Sequence, residues 1–343
     1  MTGSAYAPGR VNLIGEHIDY NGGTVLPAAL SVGVTVDLEP RADHKVHFTA
    51  DQFDDNAERA LEEGASGHWS DPSLGAVREA IALGLLDGGA NLTIRSDMPQ
   101  GAGISSSAAL IVAILKAARD AAGDAALSDA DIAIAARRVE NDFLGVPCGI
   151  MDQFAVAIAK PGMAMALDTQ SLDYELISLP KGHSFVVVHS GVSRKLTDGR
   201  YKERKVECDG AKAYFQTDDL CRLEPQDISA SDLDQPMCKR AFHCATEHRR
   251  VLASVDALKA GDTGTIGALM NESHLSMRDE FEVSVDPIVA LVSTAVREGA
   301  LGARLTGGGF GGCIVALVAD ERKEEWLAAL LKLHPDARFI CEA

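Results

Sequence analysis

Pro99-Gln100-Gly101-Ala102-Gly103-Ile104-Ser105-Ser106-Ser107-Ala108-Ala109-Leu110 sets two glycines and three serines directly before an apolar, alanine-rich segment running to Arg119. Ala, Leu and Ile dominate that segment, and no Gly or Pro interrupts it, so the pattern predicts a helix opened by a glycine loop. The first N–H groups of a helix lack intrahelical partners and lie at the positive end of its dipole. Glycines let a bulky anion approach the backbone, and serine hydroxyls donate to phosphate oxygens. A well-capped helix after a tight turn needs the same residue types. Three consecutive serines exceed what a cap requires, and this favours an anion cradle.

The bulk properties restrict the partners. The chain has 343 residues, 46% of them hydrophobic, which suffices for two domains or one large one. The formal net charge of −18 argues against nucleic acid and anionic membranes as partners. No apolar run approaches the roughly 18 residues of a membrane-spanning helix. Met1 to Pro8 lacks the basic and apolar regions of a secretion signal. The seven cysteines include no CxxC pair, so reduced thiols are expected, and with them a cytoplasmic protein.

Working outward along the chain, Arg10 to Ile14 reads as a short strand broken by Gly15. Glu16, His17 and Asp19 then stand within four residues, in a loop that ends Asn21-Gly22-Gly23. Carboxylates and imidazole hydrogen-bond hydroxyls, so these groups suit a polyol pocket; a solvated turn is the alternative. Zinc is disfavoured, because no partner ligands stand at zinc-like spacing. Val32, Val34 and Val36 alternate as in a half-buried strand, and further strands are expected at Lys45–Thr49 and Asn91–Ile94. Asp51 to Ser70 is acidic and reads as a surface loop with a helical piece, and Pro72 to Leu86 as a helix. Ser128 begins a capping box, and Glu140 falls on the flank of the apolar stripe that follows it. Asp152, between Ile150, Met151 and Phe154, is expected to be poorly solvated, as a helix cap or a general base.

Phe185 to His189 reads as a buried strand, and the domain change is placed just before it, giving domains 1–180 and 181–343. Arg194, Lys195, Arg200, Lys202, Arg204 and Lys205 surround Tyr201, a basic run suited to balancing an anionic substrate or to a solvated helix face. Cys208 to Leu258 reads as mostly helical, with an acidic loop near Asp227 to Asp234. Gly307, Gly309 and Gly312 satisfy GxGxxG, but the β-branched run Ile314 to Val318 follows, where a dinucleotide fold needs a helix. That fingerprint is rejected, and no GxxxxGK[ST] occurs. The glycine run instead suggests a close backbone approach beside a nucleotide site.

Together these stretches resemble the galactokinase family, within the GHMP kinase superfamily. Arg10 to Pro27 is similar to the galactokinase signature, Gly101 to Leu110 to the superfamily's ATP loop, and Thr306 to Cys313 to its third, glycine-rich motif. Gly145 to Phe154, the Tyr201 region, and Glu272-Ser273-His274 with Arg278-Asp279 are similar as well. The resemblance implies an α+β, two-domain fold of mixed sheets and helices, with the active site in the inter-domain cleft. It implies ATP-dependent phosphorylation of galactose at C1, with Mg²⁺, by a monomer or weak homodimer.

By position, Asp152 matches the catalytic base and Arg10 the transition-state-stabilising arginine. Glu16, His17, Asp19, Gly149 and Tyr201 match sugar-contacting positions. Gly101, Ala102, Gly103, Ile104, Ser105, Ser106 and Ser107 match the ATP loop, and Ser107 with Glu140 the metal-binding pair. Ile18 departs from the usual Thr of the signature and is expected to alter loop packing or one sugar contact. Kinases of related sugars (galacturonate, arabinose, N-acetylgalactosamine) share these motifs. A non-catalytic sugar sensor would carry a damaged ATP loop, whereas Ser107, Ala108 and Asp152 stand intact.

Overall fold

The computed structural model describes residues 1–51, 56–99, 101–123, 126–192 and 199–343. Arg194 and Lys195 of the basic run lie outside the described residues. The chain divides into two compact units: residues 1–10, 29–100 and 104–159 form the first, and residues 11–28, 101–103 and 160–343 the second. A single cut at 180/181 was expected. The second unit instead begins its long segment at 160 and takes in two earlier stretches.

In chain order the strands are β1 (Gly3–Asn12), β2 (Thr24–Val25), β3 (Pro27–Pro40), β4 (Lys45–Ala50), β5 (Asn56–Ala60), β6 (Ala90–Ser96), β7 (Met163–Asp168), β8 (Tyr174–Ser178), β9 (His183–His189), β10 (Gly302–Thr306), β11 (Cys313–Ala319) and β12 (Arg338–Glu342). The α-helices are α1 (Asp71–Ala82), α2 (Ser106–Ala122), α3 (Asp129–Arg138), α4 (Met151–Ile158), α5 (Arg200–Phe215), α6 (Pro225–Ser229), α7 (Met237–Ala260), α8 (Thr263–Asp279), α9 (Asp286–Arg297) and α10 (Lys323–Leu333).

In the first unit β3 pairs antiparallel with β6, β6 parallel with β4, and β4 antiparallel with β5. Helices α1, α2, α3 and α4 pack on one another. The inner face of α2, from Ala108 to Ala121, is almost wholly buried small and aliphatic side chains, which is why the alanine-rich run is a central helix. The described residues of 51–70 differ from expectation: they contain strand β5 and no helical piece. Its register with β4 runs from Lys45↔Ala60 to Thr49↔Asn56, and Lys45 pairs with Glu58 across the ladder at 2.6 Å. Long-range pairing overrides the local composition there.

In the second unit β10, β11, β9 and β12 form a four-stranded antiparallel sheet, and β7 pairs with β2, with Ala28 of β3 and with β8. The runs Phe185–Val188 and Ile314–Val318 are fully buried neighbours, so both read as continuously apolar. Part of the expected acidic loop is the short helix α6, opened by Pro225, whose missing N–H costs nothing in a first turn. No described helix is long and apolar enough to cross a membrane.

Helix α3 carries the expected capping box. Ser128 Oγ accepts from Asp131 N–H at 3.1 Å, and Asp131 accepts from Ser128 N–H at 3.0 Å. Ser128→Ala removes one half of this exchange and should lower stability by about 1 kcal/mol in urea unfolding. An unchanged midpoint would contradict the cap's contribution.

Candidate active site

In the first unit, Asp152 stands in the first turn of α4, and β1 delivers Arg10 to it. Arg10 Nε donates to Asp152 Oδ1 at 2.8 Å, and Nη2 to Oδ2 at 2.9 Å, a fork that fixes the plane of the carboxylate. The Arg10 side chain is 8% exposed and that of Asp152 31%, so the acid is less enclosed than its apolar neighbours in sequence suggested. Ser105 adds a third bond, Oγ to Asp152 Oδ2 at 2.5 Å. Ser105 precedes α2 with φ of 63°, the left-handed region that a non-glycine residue rarely occupies. Its hydroxyl makes no cap bond to α2. The left-handed turn thus aims the side chain at Asp152 and leaves the helix's first-turn N–H groups without it.

Glu140 lies in a π-helical turn, Val139–Phe143, that continues α3, closed by Leu144 N–H to Val139 O at 3.0 Å. The wider turn changes the angular position expected of a plain α-helix and buries Glu140. Burial pushes its carboxyl above the usual range, and the charge of Asp152 pushes the same way. Hydrogen bonds from Gln153, Ser107 and Cys148 oppose both. The Gln153 contact is short, and its own Oε1 is buried without a partner. Two acids that repel each other, one beside a hydroxyl, are what a divalent cation relieves, and hydroxyl and carboxylate oxygens suit Mg²⁺. Among the described residues no group of three or more His, Cys, Asp or Glu is arranged to hold a metal. Gly149 is buried just before α4.

Of the ATP-loop residues, Gly101 and Gly103 are exposed with φ of 70° and 72°, while Ala102 and Ile104 are buried. Ala102 O accepts from Cys313 Sγ at 3.0 Å, and Ile104 O from Arg10 N–H at 3.2 Å. Ser106 is exposed and Ser107 half-buried.

In the second unit, the Glu16 to Gly23 loop is held from within. Glu16 is 3% exposed. Its Oε1 accepts from Gly307 N–H at 2.6 Å, and its Oε2 from Arg304 Nη1 at 3.0 Å and from Asn12. The acid therefore spends most of its lone pairs on the protein, and the glycine run is clamped to this loop through Gly307. His17, at φ of 63°, stacks on Phe281 with ring centroids 4.6 Å apart and lies 5.4 Å from Tyr201. Its Nδ1 meets Tyr20 Oη at 2.8 Å. Asp19 and Tyr201 are half-buried. Ile18 differs from a substrate contact: its side chain is fully buried, and its carbonyl accepts from Asn21 and Gly23 N–H. A Cβ on Gly23 would sit 2.7 Å from Ile18 Cδ1 and 2.9 Å from Cys221 Sγ. The aliphatic residue fills the loop's core, where the signature's hydroxyl would need a partner.

Two of the described residues of the basic run are committed to structure. Arg204 is buried, bonding Phe281 O and Glu207 at 3.0 Å each, and Arg200 lies over the Phe310 ring at 4.3 Å. With Arg240, which bonds Glu282 at 2.6 Å, Arg204 shapes the turn that presents Phe281 to His17.

Sequence reasoning missed Arg304, Glu247, His243 and His248. Arg304 carries the one legible signal, a charge inside the strand Gly302-Ala303-Arg304-Leu305-Thr306. Glu247 accepts from Ser273 Oγ at 2.6 Å, from Gly15 N–H at 3.0 Å and from Arg250 at 2.8 Å. Ser273 also accepts from Arg304 at 3.1 Å, and His274 Nδ1 from Leu305 N–H at 3.4 Å, which gives the Glu272-Ser273-His274 segment a part in this network.

Three family models match the chain. Residues 2–40 match the galactokinase galactose-binding signature, 57–160 the GHMP kinases N terminal domain and 254–332 the GHMP kinases C terminal model. Among similar solved structures is a Lactococcus lactis galactokinase complexed with galactose. It is 31% identical, the match covers 99% of this chain and 93% of that one, and the TM-score is 0.93. A Methanococcus jannaschii mevalonate kinase is 19% identical over 99% and 97% of the two chains, with a TM-score of 0.74. A D-glycero-D-manno-heptose 1-phosphate kinase from Bacteriodes thetaiotaomicron, 19% identical over 100% and 97%, has a TM-score of 0.65; these last two share the fold.

The network also predicts acid sensitivity. Burial lowers His243 and His274 to about 4, and lowers His248 too. Burial pushes Glu247 up, but Arg250 and Arg304 outweigh it and bring it to about 2. An unfolded histidine binds a proton below about pH 6.5 that the folded one refuses, so stability is full above that value and falls towards pH 4. The loss by pH 4.5 should be on the order of 2 kcal/mol for each of His243 and His274. Glu247 extends the decline from about pH 4.5 towards 2. Chemical denaturation between pH 7.5 and 4.5 measures this, and a flat profile would refute the buried neutral histidines.

Proposed function

This chain belongs to the galactokinase family of GHMP kinases, and from that premise we propose that it transfers the γ-phosphoryl group of ATP to the C1 hydroxyl of α-D-galactose, giving galactose 1-phosphate and ADP. The observation that carries the mechanism is the Asp152 carboxylate, fixed by the Arg10 fork and by Ser105. Asp152 accepts the proton of the C1 hydroxyl. The C1 oxygen attacks the γ-phosphorus, and the β–γ bridging oxygen leaves with ADP. Arg10 holds the base in one orientation and supplies positive charge for the group in transfer. The first-turn N–H groups of α2 and the Gly101 to Ser107 backbone take the phosphate oxygens. Ser107 and Glu140 would hold Mg²⁺, which offsets phosphate charge when bound.

His17, Asp19 and Tyr201 are assigned to sugar hydroxyls, and Gly149 to a backbone approach. Glu16 keeps the loop in shape, with a remaining lone pair open to a hydroxyl. Positioning and electrostatics then account for most of the rate.

Asp152→Asn should lower kcat by about 10²-fold or more while sugar binding stays measurable by calorimetry. Near-normal turnover would remove Asp152 from the base role. A panel of galactose, galacturonate, arabinose and N-acetylgalactosamine with ATP and Mg²⁺, read by ADP release, tests the substrate. Preference for any member other than galactose would overturn that assignment.

A further inference from the structure

Helix α7 has 24 residues, and its buried face carries polar groups where a long helix ordinarily places aliphatic ones. Three of them bond the backbone of one loop. His243 Nε2 meets Glu16 O at 3.2 Å. A carbonyl only accepts, so Nε2 carries the proton and Nδ1 accepts from Ser276 Oγ at 2.8 Å. Four residues on, Glu247 Oε1 accepts from Gly15 N–H at 3.0 Å. Next to it His248 Nδ1 accepts from Thr24 N–H at 3.1 Å. Gly15 and Glu16 open the loop that bears His17 and Asp19, and Thr24 closes it.

The approach is close. Gly15 has φ of 104°, and a Cβ there would lie 3.0 Å from Val251 Cγ2 of the same helix. The His243 ring also packs on Phe281 at 4.7 Å, the ring on which His17 stacks. Burying a carboxylate and two imidazoles costs free energy that leucines at these positions would not. A polar face whose bonds converge on both ends of one loop has its use in the loop's geometry.

We propose that His243, Glu247 and His248 are positioning residues that set the loop holding His17 and Asp19, and so the affinity and selectivity for the sugar. The proposal rests on the galactose kinase function above. It predicts a division between the two substrates that general destabilisation does not produce. His248→Leu removes the acceptor for Thr24 N–H and should raise the KM for galactose about five- to tenfold, with the KM for ATP within about twofold of wild type. His248→Asn keeps an acceptor near the Nδ1 position and should restore the galactose KM to within about twofold. Glu247→Gln should move the galactose KM in the same direction, and galactose calorimetry on each variant reads the affinity directly.

Equal changes in both KM values, a lowered melting temperature with unchanged galactose KM, or failure of His248→Asn to recover what His248→Leu loses would each overturn the positioning role. His248→Leu and His248→Asn decide the question if Glu247→Gln fails to fold. A wild-type chain that turns over ATP with no galactose dependence would overturn the functional premise as well, and that result is seen before any variant is made.

Discussion

Arg304 places a guanidinium, with no solvent exposure, inside a strand. Such a charge is tolerable only if every donor finds an acceptor and the charge finds partners. Glu16 at 3.0 Å and Glu247 at 3.5 Å supply the opposite charge, and Asn12 O and Ser273 Oγ take further N–H groups. This requirement reaches far along the sequence. It recruits the loop after β1, the middle of α7, the C-terminal half of α8 and the approach to the glycine run, and it ties each of them to one buried point. Removing Arg304 would take the cation from the buried Glu16 carboxylate, at a cost of roughly 3–5 kcal/mol. The Glu16 to Gly23 loop is therefore not a surface turn that happens to be polar. Its conformation is the one the buried charges require.

A second constraint shapes the first unit. Ser105 adopts a left-handed conformation, and its hydroxyl goes to Asp152, not to the N-terminus of α2. The turn thus orders the carboxylate and keeps the start of the helix open in one move. The π turn at Val139–Phe143 acts similarly on Glu140, burying it where Ser107 can reach it. Irregular backbone at both places orients functional groups that regular helices would turn elsewhere.

The regular parts of the fold were legible because burial imprints itself on sequence period. The α2 run, the β9 and β11 runs and the α3 capping box follow from residue type and spacing alone. Strand β5 was not legible, since its backbone pairing is with β4, a long-range contact that local composition does not encode. Arg10 and Asp152 could be paired from the sequence only through family resemblance, because 142 positions separate them and nothing local joins them. The α7 residues were hidden for a different reason. His243, Glu247 and His248 on a helix look like a solvated edge until the partners they bury against are known. Ile18 stood out in the sequence only as a departure from the usual Thr, with loop packing or one sugar contact left open; its full burial puts the side chain in the loop's core.

Net charge and proposed substrate pull in opposite directions, for the proposed function asks a chain at −18 to hold a triphosphate. A broad basic surface would be the long-range answer, but the buried arginines are already committed: Arg204 to Glu207, Arg240 to Glu207 and Glu282, Arg304 to Glu16 and Glu247. At short range there remain the positive charge of Arg10 beside Asp152, the first-turn N–H groups of α2 and the Ser107 hydroxyl. Such donors act over a few ångströms and are fixed before substrate arrives, so they need no attractive field at the surface. Salt screens surface charges within about 10 Å, whereas partly buried groups feel it far less. An acidic exterior and the proposed anion site are then compatible, because the two act over different distances.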